Sequence, residues 1–137
     1  MLVNVKWEVI AERDWRWDMC RCLYSYVDAD TREVLYVGKA EHQSVRQRMY
    51  GRHKQGIYDW FFDEYGIGDF IVLFGDLHME EGRRFSSALL SDVESLLISE
   101  LQPPANICCK RSRISRPGLH VKCFGSWRGR RTFRDHE

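Results

Sequence analysis

A small α/β domain, with a three-stranded antiparallel sheet flanked by helices and with N- and C-terminal extensions, is the fold this sequence predicts. Three observations point to it. Residues 22–27 and 34–37 are short runs rich in aromatic and β-branched side chains, joined by a polar turn. A third run of the same kind follows at 69–74. Residues 85–101 place Phe85, Leu89, Val93, Leu96 and Leu97 at helical spacing. The order of strand, strand, helices, strand and helix suits a sheet covered by helices.

The elements follow in chain order. Val3–Ile10 alternates partly and reads as a strand within an N-terminal extension, residues 1–19. Arg13–Asp18 is a charged, Trp-containing connector. Cys22–Val27 and Val34–Val37 form the hairpin, with Asp28–Arg32 as its turn and Gly38 as its stop. Ser44 is a plausible N-cap for a helix running from Val45 to about Gly51. A second helix is expected over Tyr58–Tyr65, ended by Gly66, before the strand at 69–74. The long helix stops before Pro103–Pro104, because proline lacks an N–H and restricts the residue before it. His120–Phe124 reads as a last short strand in a C-terminal extension, residues 110–137, which leaves 20–109 as the central domain.

The chain has 137 residues, 44% hydrophobic and 30% charged, enough for one domain with an apolar core. No apolar run approaches the roughly 18 residues of a membrane span, and the first ten residues include Lys6 and Glu8, unlike a signal peptide. A cytoplasmic location is expected. The formal net charge is +1, but it is unevenly spread: residues 107–137 carry nine Lys/Arg against two acids. Such a basic end favours a polyanion, because each neutralised phosphate releases counterions. The bland reading is a solvated tail. The five cysteines, an odd number without a secretory signal, are expected as reduced thiols. Zinc at Cys20, Cys22, Cys108 and Cys109 is the less favoured reading, because these spacings lack the two-residue knuckle.

Candidate chemistry sits on the hairpin and two helices. Tyr24 and Tyr36 lie on neighbouring strands, where a hairpin brings side chains together. Arg46 and Tyr50 are four apart and share a helix face, with His53 three further on; Arg48 and Arg52 make a second such pair. Guanidinium groups grip phosphate bidentately. Glu94 interrupts an apolar stripe of Leu90, Leu97 and Ile98, where a carboxylate is costly unless it is paired or holds a cation. Asn106 follows a double proline. Taken singly, each has an ordinary structural explanation: aromatics pack on sheets, arginines solvate helix faces, a buried glutamate pairs with arginine, and asparagine turns chains.

Their order and spacing together resemble the GIY-YIG nuclease family. Cys22-Leu23-Tyr24 looks like the first motif, with Cys in place of its Gly, and Tyr36-Val37-Gly38 looks like the second, followed by Lys39. Arg46 stands ten residues after Tyr36, Tyr50 takes the next-turn position, and Glu94 and Asn106 match the family's glutamate and asparagine. The resemblance implies a metal-dependent endonuclease that hydrolyses DNA phosphodiesters to 5′-phosphate and 3′-hydroxyl ends. It implies Mg²⁺ or Mn²⁺ held by Glu94, Tyr24 or Tyr36 as proton acceptor, and Arg46 stabilising charge on phosphate. It further implies Lys39 beside the phenols or the phosphate, Tyr50 positioning water or substrate, and Asn106 supporting the metal site. Arg48, Arg52, His53, Arg111, Arg113, Arg128 and Arg130 are the expected DNA contacts, with Trp127 and Phe133 interleaved among the basic residues as stacking candidates. Strong sequence specificity would require a homodimer or a partner protein. The alternative is a non-catalytic nucleic-acid-binding module on the same fold.

Overall fold

The computed structural model describes residues 1–49, 69–106 and 117–135. Its strands are β1 (Leu2–Val9), β2 (Cys22–Asp28), β3 (Val34–Ala40), β4 (Phe70–Met79), β5 (His120–Gly125) and β6 (Thr132–Arg134). Among the described residues the helices are α1 (Val45–Met49) and α2 (Ser87–Leu101), with a short 3₁₀ turn over Trp15–Asp18. The expected helix at Tyr58–Tyr65 lies outside the described residues.

The three-stranded sheet flanked by helices is corrected by this architecture. There is one six-stranded sheet, in the order β3-β2-β4-β1-β5-β6. It is mixed, because β1 runs parallel to β5 while the other neighbours are antiparallel. The expected hairpin and third strand form the antiparallel β3-β2-β4 part. Residues from both extensions supply the rest.

Two local features explain the shortfall. The expected strand at 69–74 is only the first part of β4. The strand continues through Gly75, and a Cβ there would lie 2.8 Å from the Trp7 ring on β1. This glycine permits close cross-strand packing rather than ending the strand. The extra half of β4 then pairs with β1, from Val9↔Leu73 to Val3↔Met79. Beyond β1, the Trp127 ring stacks on Trp7 at 4.8 Å between centroids, and Phe133 is fully buried. These contacts hold β5 and β6 to the sheet by apolar burial.

Each face of the sheet carries a core. On one, α2 packs Leu89, Leu90, Val93, Leu96 and Leu97 against Val5, Leu23, Val37, Leu73 and Val121. Ser86 caps the helix by accepting the Leu89 N–H at 3.0 Å. It ends at Gln102, in the left-handed region at φ 51°, ahead of the two prolines. On the other face Tyr24, Tyr26, Leu35, Val72 and Phe74 pack with Val45 of α1. Ser44 and Gln47 start α1 with a reciprocal capping box, at 3.2 and 2.8 Å. Among the described residues no helix is long and apolar enough to cross a membrane.

Candidate functional site

The site is built on the edge hairpin. In the β2–β3 register Tyr24 faces Gly38, and Tyr26 faces Tyr36. A bulge at Tyr26/Val27 shifts this register, so Leu35 and Tyr36 both join the same core. The rings of Tyr24 and Tyr36 are 5.9 Å apart, and Tyr26 stacks on Tyr36 at 5.2 Å. Gly38 makes the approach possible. A Cβ at this position would lie 2.7 Å from Cζ of Tyr24 and 2.8 Å from Cε1 of Tyr36.

Three backbone restraints hold β3 beneath these rings. The Ser25 hydroxyl, fully buried, donates to the Tyr36 carbonyl at 2.8 Å. The Asn106 carboxamide accepts from the Val37 N–H at 3.0 Å and donates to the Val37 carbonyl at 2.8 Å. The Ala105 N–H donates to the Leu35 carbonyl at 2.9 Å. Residues 105–106 thus satisfy the open side of the edge strand. Asn106 was expected to support the metal site; its buried carboxamide clamps the strand between Tyr36 and Gly38.

The arginines divide by helical phase. Val45 is buried against the tyrosine core, and Arg48, three residues on, shares its side of α1. Arg48 lies beside the Tyr24 phenol. Its Nε is buried and meets no hydrogen-bond acceptor among the described residues. Arg46, one residue after Val45, is exposed and pairs with Asp18 at 3.1 Å. The helix therefore brings Arg48, expected as a DNA contact, to Tyr24, and turns Arg46 outward. The signal was available in the sequence: Val45 is the apolar anchor of α1, and Arg48 lies at i+3 from it.

Tyr24 is fully buried, and burial pushes its phenol well above the ordinary value of 10. Tyr36 adds to the rise, and Arg48 opposes it. Tyr24 is therefore a protonated phenol at neutral pH. Tyr36 is only partly buried and presents its ring nearer to solvent.

Lys39 projects to the α2 side of β3. Its ammonium donates to the Ser91 hydroxyl at 2.5 Å and pairs with Glu41 at 3.4 Å. The Glu41 carboxyl is held below its ordinary value, first by a hydrogen bond from Ser87 and then by Lys39 and His42. Glu41, Ser87 and Ser91 were not anticipated, since nothing local links them to the tyrosines. Glu94 follows Ser91 by one turn, on the same side of α2, and is partly buried. Lys39, Glu41, His42, Gln43 and Arg48 line a cleft of about 280 Å³ beside the hairpin.

Among the described residues no group of three or more His, Cys, Asp or Glu converges on one point. A single carboxylate such as Glu94 suits a cation that draws its other ligands from water and substrate phosphate, as Mg²⁺ does.

Tyr50, Arg52, His53, Arg111, Arg113, Cys108 and Cys109 lie outside the described residues. Cys20 is exposed, while Cys22 and Cys123 are buried thiols pushed up to about 12, chiefly by desolvation. Trp127 and Phe133 are 1% and 0% exposed, so they are core residues and not stacking surfaces for bases. Arg130 stacks over Phe133 at 4.7 Å and pairs with Glu100 at 3.4 Å, and Arg128 is exposed.

No protein-family model matches the chain, nor does any curated protein or solved structure.

Proposed function

We propose that this protein is a metal-dependent endonuclease acting on DNA, with Tyr36, Arg48, Lys39 and Glu94 as its working groups. One observation carries the reading: half-buried Arg48 lies beside Tyr24, itself packed on Tyr36, and its buried Nε–H meets no acceptor among the described residues. A core seldom leaves such a donor unmet, and a phosphate oxygen would satisfy it through a charge-assisted bond.

In this reading Arg48, rather than Arg46, faces the scissile phosphate. Water attacks phosphorus, a new P–O bond forms, and the bond to O3′ breaks. Tyr36, the less buried phenol, takes the water proton when in its phenolate form, and the departing O3′ takes a proton from solvent to become the hydroxyl. Tyr24 buttresses Tyr36 and stays protonated. Arg48 offsets the charge that accumulates on the phosphate oxygens. Glu94 would hold a single Mg²⁺ or Mn²⁺, whose contribution is Lewis-acid polarisation of the phosphate. Lys39, tied to Glu41 and Ser91, adds fixed positive charge at the cleft.

The test is cleavage of plasmid and branched DNA with Mg²⁺, Mn²⁺ or EDTA, by the parent, Glu94→Gln, Arg48→Ala and Arg46→Ala. Activity abolished by EDTA and by Glu94→Gln is expected. Arg48→Ala should cost about 10²–10³-fold and Arg46→Ala little, on the scale of a removed oxyanion donor. A parent that binds DNA without cutting it under any metal would leave the other reading, a binding module.

A further inference from the structure

Across the edge strand β3 from the tyrosines lies a second basic feature, which brings together two segments nearly a hundred residues apart. The β2–β3 turn supplies Thr31 and Arg32, and the β5–β6 connection supplies Arg128, Gly129 and Arg130. With Gln102 at the end of α2 they line a cavity of about 340 Å³. Arg32 is held in the left-handed region, at φ 65°, by a closed turn in which its N–H donates to the Asp28 carbonyl at 2.9 Å. Glu33 also lines the cavity, and Glu100 pairs with Arg130. Three guanidinium groups therefore meet two carboxylates. Among the described residues neither Arg32 nor Arg128 is ion-paired.

Cations gather at helix C-termini without any ligand, because the last carbonyls carry partial negative charge. That pull is weakened here. The Gln102 N–H donates to the Ile98 carbonyl at 2.9 Å, and its side chain donates to the Ser99 carbonyl at 2.9 Å. Arg32 comes from another segment altogether and shares the cavity wall with Arg128, where two like charges favour an anion in the cavity. Val34 in the same cavity is two residues before Tyr36 on β3, about 7 Å along the strand.

We propose that Arg32 and Arg128 hold a backbone phosphate of the nucleic-acid strand, at a site separate from the tyrosine cleft. This rests on the nucleic-acid reading above, but not on cleavage. The chemistry requires only a phosphate group, so inorganic phosphate is the competing occupant.

The experiment measures binding of fluorescently labelled duplex DNA to the full chain in EDTA, by anisotropy across a range of salt concentrations. The parent is compared with Arg32→Asn/Arg128→Ala, in which Asn tolerates the left-handed backbone. A control, Lys6→Ala/Lys122→Ala, removes equal charge from exposed positions on β1 and β5. Thermal melts establish that each variant is folded. The pocket variant should bind several-fold more weakly, with a log–log salt slope shallower by about 1, the loss of one phosphate contact. The control should keep the parent slope. An unchanged slope in the pocket variant, or equal change in both variants, would overturn the proposal. So would competition by inorganic phosphate beyond that of chloride at equal ionic strength, because the pocket would then be a small-anion site. A parent that binds but never cuts, with the slope change intact, would sink the nuclease reading and leave this site standing.

Discussion

Gly38→Ala tests the geometry of the tyrosine pair most directly. The added Cβ would stand 2.7 Å from Cζ and 2.8 Å from the hydroxyl oxygen of Tyr24, and 2.8 Å from Cε1 of Tyr36. Comfortable carbon contacts are about 3.5–4.0 Å, so the rings must withdraw by about 0.7–1.3 Å. The atoms concerned are at the far end of Tyr24, and a loose side chain would yield easily. Tyr24 is not loose: it is fully buried, with Tyr26 at 5.8 Å and Tyr36 at 5.9 Å between ring centroids. Overpacking of this kind costs about 1–3 kcal/mol. For a chain of this length each kcal/mol lowers Tm by about 3–6 °C. Displacing a phenol by about 1 Å from its reacting position should also cost about 10²-fold in cleavage rate. The assay pairs a thermal melt, followed by near-ultraviolet circular dichroism of the tyrosines, with single-turnover plasmid cleavage. A variant that melts within about 1 °C of the parent and cleaves at its rate would refute the claim that Tyr24 crosses over Gly38.

Asn106→Ala leaves the Val37 N–H and carbonyl unmet at a buried edge, and a loss of about 2–5 kcal/mol by denaturant titration is expected. A loss below 0.5 kcal/mol would mean that water replaces the clamp. Trp127→Ala removes a stacked, buried ring from Trp7 and should cost about 3–5 kcal/mol, with DNA affinity of the folded fraction unchanged if the ring has no contact with bases. The Glu41 carboxyl, depressed below its ordinary 4.5, contributes stability above that pH and loses it as pH falls through its folded-state value. Glu41→Gln should therefore flatten the acid side of the stability profile; an identical profile would show that Ser87 and Lys39 do not hold it.

Truncation after Asn106 or Lys110, an obvious way to ask whether the basic end supplies affinity, would delete β5 and β6 and expose Trp7. The charge reading of residues 107–137 was sound as arithmetic, but part of that segment is sheet. Point substitutions at exposed arginines are the usable probes.

Several features of this protein were written locally. The hairpin strands, the start of α1 at Ser44 and the end of α2 before Pro103 follow from alternation, capping and proline chemistry within a few residues. So did the candidates Tyr24, Tyr36, Lys39 and Glu94, through their order along the chain. What only the tertiary structure decided depends on partners distant in sequence. The parallel pairing of β1 with β5 joins the two ends of the described chain, and no periodicity within either strand announces it. The continuation of β4 past Phe74 through Gly75 has its reason in the Trp7 ring, on another strand. Asn106 holds the backbone of Val37, 69 residues away. Arg48, and not Arg46, lies beside Tyr24 because the packing of Val45 sets the rotation of α1, and spacing from Tyr36 does not. Residue types and local periods determined which groups were available for chemistry. Non-local packing determined which of them meet, because burial and strand pairing act across space without regard to position in the chain.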